Sequence, residues 1–252
     1  MKIRRRYVAI ALVVAAVATL GAQRRQFFSG DFPVEKNPDY DGRLTFMRMR
    51  YPGYGGMTQE GPGWMHDYPD GERHLMKILS EISDLRPKLD SSLVMDFGDP
   101  GIMRYPLMYL SEPGYWQPTE EEVKNLRDYL LKGGFMITDD MRGRQYDNLV
   151  DHFRRVLPDA RWITIEPGSQ VWDSFFRIEA EDLLRDGVYG PGNEYLGIFE
   201  DNDPTKRLMV VANRNNDIGD AWQWSGTGFI PIDLSNEAYK LGVNYIMYAL
   251  TH

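Results

Sequence analysis

The chain has 252 residues, a formal net charge of −8, 42% hydrophobic and 26% charged side chains, and no cysteine. This length and apolar content support one domain with a substantial core and exclude a disordered chain. The acidic balance, with no dense Lys/Arg stripe in the body, excludes nucleic acid as the main partner, and the missing cysteines exclude disulfides, a thiolate nucleophile and Cys-ligated zinc.

The chain opens with the basic "MKIRRR" and continues with the uncharged run "YVAIALVVAAVATLGA" over residues 7–22. That is the layout of a secretory signal peptide, with cleavage expected at Ala16-Val17-Ala18 or at Ala22-Gln23. The alternative is an uncleaved membrane anchor through residues 7–22, although the run is shorter than the ~17–25 residues usual for a span. Either way the body is expected to be exported, in the periplasm or anchored at the outer face of the inner membrane. Residues 23–42 are polar, carry Pro33 and Pro38, and read as a linker.

The folded domain is expected over residues 43–252. "RLTFMRMRY" (43–51) alternates like a strand and runs into the glycine-rich loop "PGYGGMTQEGPGW". A helix follows from Asp70, with Leu75, Ile78, Leu79, Ile82 and Leu85 at helical spacing and Pro87 beyond its end. "PLMYL" (106–110) is an apolar strand. "TEEEVKNLRDYLLKGG" opens with a Thr119–Glu122 capping box and closes on Gly133-Gly134. "FMITDD" is the next strand, apolar on both faces as in the centre of a parallel sheet. A helix over about 147–157, the strands "RWITIE", "LGIFED" and "RLMVVAN", and the closing helix "EAYKLGVNYIMYAL" complete the order. Strands alternating with helices predict an α/β fold, a mostly parallel sheet with helices on both faces.

In open parallel sheets, ligands bind beyond the carboxyl ends of the strands. Three acid-bearing segments fall after predicted strands: "WMHDYPDGER" with Asp67, Asp70 and Arg73, "TDDMRGR" with Asp139 and Asp140, and "NRNNDIGDAW" with Asn216, Asp217, Asp220 and Trp222. These nine are the candidate ligand-binding residues. Each segment also has an ordinary reading: Asp70 as a helix N-cap, one of Asp139 and Asp140 as a backbone acceptor in an Asx-turn, and "NNDIGD" as a turn. His66 and His74 flank the first segment across a helix start, a spacing more typical of surface histidines than of a metal pair, and no metal site is assigned from it. There is no H-E-x-x-H, phosphate loop or dinucleotide fingerprint, so no cofactor is expected. Ser111 follows a strand, but "YLSEPG" lacks the first glycine of a nucleophile elbow.

The stretches "LTFMRMRY", "DYPDGER", "YPLMYL", "EEVKNLRDYLLKGGFMITDD", "RLMVVANRNNDIGDAW" and "KLGVNYIMYALTH" together resemble DUF4159, a bacterial domain family of unknown function. The resemblance covers residues 44–252. It implies a flavodoxin-like three-layer sandwich akin to class I glutamine amidotransferases. It also implies partners in envelope complexes with MoxR-type ATPases and von Willebrand A-domain proteins. Amidotransferases of that class use a cysteine with a His–Glu pair. This chain has no cysteine, and the corresponding turn reads "SEPG", so glutaminase activity is not expected.

Two functions follow as expectations. The first is a non-catalytic ligand- or protein-binding module, its acidic strand-end edge flanked by Trp64, Tyr115, Trp116 and Trp222. The second is a glycan hydrolase using two of the carboxylates, which must stand ~5–5.5 Å apart for retention or ~6.5–9.5 Å apart for inversion. A hard cation such as Ca²⁺ on the same oxygens is a variant of either.

Overall fold

The structure is a computed structural model, described here for residues 32–53, 55–58, 61–89 and 91–252. The export segment expected over residues 1–22 and the first nine residues of the expected linker lie outside them. The chain divides at residues 34 and 35, and the body is 35–252. The segment 35–42 is not a free linker. Asn37 exchanges two hydrogen bonds with the Val94 backbone (2.7 and 2.9 Å), and Glu35 pairs with Arg73 at 2.6 Å.

Seven strands form one sheet: β1 (Met47–Arg50), β2 (Leu93–Asp96), β3 (Leu107–Ser111), β4 (Phe135–Met141), β5 (Ile163–Thr164), β6 (Glu194–Phe199) and β7 (Leu208–Arg214). Their spatial order is β2-β1-β3-β4-β7-β6-β5. All run parallel except β6, which pairs antiparallel with both β7 and β5. The helices are α1 (Asp70–Ile82), α2 (Glu120–Leu131), α3 (Arg144–Val156), the one-turn α4 (Ala180–Leu183), α5 (Ile218–Gln223) and α6 (Ile232–Thr251). None of the described helices is long and apolar enough to cross a membrane.

Strand alternation sorts the core into two layers. Phe46, Leu107, Tyr109, Phe135, Ile137 and Val211 turn to one face and pack with Leu75, Met76 and Leu79 of α1, Trp222 of α5, and Leu241 and Tyr245 of α6. The alternate residues Met47, Met49, Met108, Leu110, Met136 and Val210 are equally buried. They lie on the face covered by α2 and α3, whose inward side chains include Val123, Leu126, Leu149 and Phe153. β4 is buried along all seven residues, as a central strand covered on both sides must be.

Local chemistry sets the helix ends. Thr119 accepts the Glu122 N–H while Glu122 accepts the Thr119 N–H, the reciprocal box expected from the sequence. At the other end Gly133 sits at φ +108°, and Gly134 donates to the Tyr129 carbonyl; a Cβ on Gly134 would lie 2.2 Å from the Tyr129 ring. Thr119→Ala removes one member of the box and should cost about 1 kcal/mol. A thermal melt should then fall by about 2–4 °C.

Several expectations are corrected here. Asp70 is not the N-cap of α1; Pro69 holds that position and Asp70 is the first helical residue. α3 starts at Arg144, after Gly143 at φ +52°, three residues before the periodicity places it, and α6 starts at Ile232 instead of Glu237. β2 is not anticipated. Its apolar run is only three residues, Leu93, Val94 and Met95, and follows an irregular polar stretch, so it falls short of the length that marks a strand.

Candidate functional site

The parallel strands end on one edge. The order β2-β1-β3-β4 places a topological switch between β1 and β3, since the chain leaves β1 to one side and returns on the other. The loop after β1, the turn after β3, the end of β4 and the turn after β7 meet above this switch.

Asp139 is the structural centre. It continues the alternation of Tyr109 and Ile137 and points to the α5–α6 face. Its Oδ2 accepts from the Tyr109 hydroxyl (2.9 Å) and the Gly219 N–H (2.9 Å), and its Oδ1 accepts from Asn213 Nδ2 (3.1 Å). Asn213 is itself oriented by the Tyr245 hydroxyl at 2.7 Å. One carboxylate thus ties β3, β4, β7, α5 and α6 together with no solvent exposure. Burial and the neighbouring Asp140 charge raise its pKa to about 7, against the three donors that hold it down.

Asp140 would point to the opposite face if β4 stayed extended. Instead its φ is +55°, and the β4–β7 register shifts between Thr138 and Met141. The bulge keeps this second acid at the edge. The Tyr189 hydroxyl donates to Asp140 Oδ1 and also reaches Asp217 Oδ2 at 3.2 Å, so one phenol joins the β4 and β7 ends. The Arg142 guanidinium lies 4.6 Å from the centre of the Tyr189 ring.

The loop after β1 delivers His66 and Asp67. Buried Arg48 forks onto Glu72 (2.7 and 3.1 Å) and donates to the carbonyls of Trp64 and His66 (3.1 and 2.7 Å), which fixes the loop over the sheet. His66 Nδ1 then stands 3.1 Å from Glu112 Oε1 and 3.6 Å from Asp140 Oδ2, with Nε2 3.0 Å from the Thr58 hydroxyl. Burial pulls this imidazole down, but Asp140 and Glu112 outweigh it and raise it to about 10. It is therefore an imidazolium at neutral pH. Glu112 occupies the turn directly after β3 in left-handed backbone (φ +45°), and its Oε2 is buried without a hydrogen-bond partner.

Asp67, also left-handed at φ +65°, is 2% exposed, and its Oδ2 is likewise buried with no hydrogen-bond partner. Asp217 caps α5 by accepting the Asp220 N–H at 2.9 Å. Oxygens of Asp67, Asp217 and Asp220 all lie within 4.8 Å of one another, and the same holds for the ligand atoms of His66, Glu112 and Asp140. Burial first, then the surrounding carboxylates, push Asp67 and Asp217 well above the usual carboxylate range; Glu112 is raised for the same reasons. Three acids at one edge in left-handed backbone are a concentration of strain of the sort found at functional sites.

Of the nine sequence candidates, Asp67, Asp139, Asp140, Asp217 and Asp220 gather here. Asn216 stands beside them in a backbone role, its side-chain oxygen accepting from the N–H groups of Val188 and Asp217. Asp70 and Arg73 lie outside: the Asp70 side chain is 59% exposed, and Arg73 turns to Glu35. Trp222 is not a site wall; it is fully buried and donates to the Ala238 carbonyl. Trp64 and Trp116 are buried as well, which leaves Tyr115, 39% exposed, as the accessible ring of the expected aromatic set. Glu112, His66 and Tyr189 complete the cluster but were not among the candidates. "LSEP" after an apolar strand carried a signal for Glu112, while Tyr189 arrives from 49 residues beyond Asp140 and carried none.

A search of curated proteins gives no match. A family model described as "Domain of unknown function (DUF4159)" matches residues 45–250, which takes in every strand and helix named above but for the last residue of α6, and the whole acidic edge. The chain belongs to the DUF4159 family.

Proposed function

We propose that this is an exported, non-catalytic binding domain that takes a cationic group of a ligand or partner protein at the strand-end acidic edge. The observation that carries the reading is the charge balance of the cluster. Six carboxylates (Asp67, Glu112, Asp139, Asp140, Asp217 and Asp220) share one end of the sheet, with the His66 imidazolium lying between only two of them. Burial and mutual repulsion keep protons on part of this set, Asp67 and Asp217 above all, and an incoming cation favours release of those protons and is held by the carboxylates so formed. The basic start and uncharged run over residues 1–22 support export, with the domain in the periplasm or held at the outer face of the inner membrane. An envelope complex of the MoxR and von Willebrand A-domain type fits an exported binding module of this family.

Nucleophilic acyl chemistry finds no support. Ser111 at the end of β3 is fully buried, and its Oγ has no hydrogen-bond partner to activate it. The hydrolase reading has one observation in its favour: Glu112 on the strained turn after β3, its pKa raised by burial, has the attributes of a general acid. Against it, the Glu112 and Asp140 oxygens both contact the same His66 nitrogen, so an imidazolium fills the space where a glycosidic bond would have to lie.

Calorimetry of the full chain with an arginine-containing peptide amide and a glucosamine oligomer tests the reading. Binding of either probe should weaken at least about tenfold, ~1.4 kcal/mol, in Asp140→Asn and Glu112→Gln. Equal affinity in the variants would sink it, and release of shortened oligomers by the unaltered chain would replace it with the hydrolase.

A further inference from the structure

We infer that Asp67, Asp217 and Asp220 hold a hard divalent cation, Ca²⁺ or Mg²⁺. This deepens the binding reading above and rests on the same edge of the sheet. The first observation is geometric. Three carboxylate oxygens from two separate segments, the loop after β1 and the turn after β7, lie within 4.8 Å of one another. Oxygens ligating one Ca²⁺ at ~2.4 Å span at most about 4.8 Å, and those around Mg²⁺ at ~2.1 Å somewhat less.

The second observation is independent of the clustering. Asp67 is 98% buried, and its Oδ2 has no accessible surface and no hydrogen-bond donor. A carboxylate oxygen left this way is costly, and such groups in native structures call for an explanation, an unplaced ion among them. The oxygen sits against the turn that carries the other two acids: a Cβ built on Gly219, which lies between Asp217 and Asp220 in the chain, would stand 2.4 Å from it. Position 219 has to be glycine for Asp67 to reach this spot.

The neighbouring cations do not answer the need. Arg48 acts electrostatically on Asp67, but its hydrogen bonds run to Glu72 and to two carbonyls. His66 lies between Glu112 and Asp140 and offsets one of their two charges, so the all-oxygen trio is the place for the ion. Oxygen-only donors select hard cations over the softer transition metals. With Asp67 and Asp217 2% and 4% exposed, the trio admits an ion with little room for a larger ligand, so a cation here would present its remaining coordination positions through the more open Asp220 side.

The test is titration of the chelator-treated full chain with CaCl₂, MgCl₂ and MnCl₂ by calorimetry, alongside thermal melts. We expect saturable binding at Kd of about 1 mM or tighter, and a Tm rise of about 5–10 °C at ~100-fold excess over Kd. Affinity should fall at least about tenfold in Asp67→Asn and in the partly buried Asp220→Asn, and stay unchanged in Asp70→Asn. Asp220→Asn keeps the test open if Asp67→Asn does not fold. Absence of heat and of any Tm shift with all three salts in a folded sample overturns the inference, as does binding that survives both variants. Cation binding without probe binding would leave this inference standing and sink the binding-domain reading. Probe binding in chelator with no cation heat would do the reverse.

Discussion

Asp139→Ala should be the most damaging single substitution at the sheet edge, lowering stability by roughly 3–5 kcal/mol, on the order of 10 °C in a melt. The reason is what the carboxylate leaves behind. Tyr109, Asn213 and the Gly219 N–H all donate to it from fully or nearly fully buried positions, and each orphaned donor costs about 1–3 kcal/mol. Asp139→Asn separates hydrogen bonding from charge. The amide keeps an acceptor for Tyr109 and Gly219, and Asn213 can turn its own amide to meet the new NH₂ group, with Tyr245 then accepting where it now donates. The asparagine variant should therefore lose less than half of what alanine loses. Equal losses in the two would mean that the charge itself, and not the donor set, holds this junction.

The contrast between Asp139 and Asp140 also shows what the sequence could carry. Apolar runs, the Thr119 capping box and the glycines at 133 and 134 are local signals, and the structure follows them closely. Two acids ending a doubly buried strand mark the edge as unusual in the sequence, because such a placement is unfavourable without partners. Which partners they find is long-range information. Asp139 is satisfied by residues 30, 74 and 80 positions away, and Tyr189 reaches Asp140 across 49 residues. The tryptophans misled for a related reason. An aromatic residue in a glycine-rich loop reads as a surface platform, yet Trp64, Trp116 and Trp222 had enough apolar neighbours to bury. Asp70 reads as a cap because a cap and a first-turn acid occupy adjacent positions, and in the fold Pro69 takes the cap and Asp70 the first turn. Nothing local sets Glu112 apart from Ser111 beside it, because the left-handed backbone that singles out the glutamate exists only in the fold.

Cation-free protein should be more stable near pH 5 than at pH 8, by an amount on the order of a few kcal/mol. In each resolved case at this edge the folded state binds protons more tightly than the unfolded chain. Asp139 is raised to about 7 by burial and by Asp140, against ~3.9 unfolded, so across that interval the folded state keeps a proton the unfolded state has released, and stability falls as pH rises. Asp67, Asp217 and Glu112 are displaced in the same direction by burial and like charges, so they steepen the loss. His66, lifted to about 10 by Asp140 and Glu112, contributes stability that is complete below its unfolded value near 6.5 and is lost as pH rises through about 10. The sign is again the same. Exposed acids such as Asp41, lowered to about 2 beside Arg43, act oppositely but only below pH ~4, which places the optimum on the mildly acidic side. Urea midpoints measured in chelator from pH 4 to 9 should trace this decline, and Asp139→Asn should make the section between pH 5 and 7 shallower. A curve that is flat, or that rises from pH 5 to 8, would mean that the carboxylates of the edge are ionised and compensated in the folded protein, and the charge surplus argued for the site would not exist.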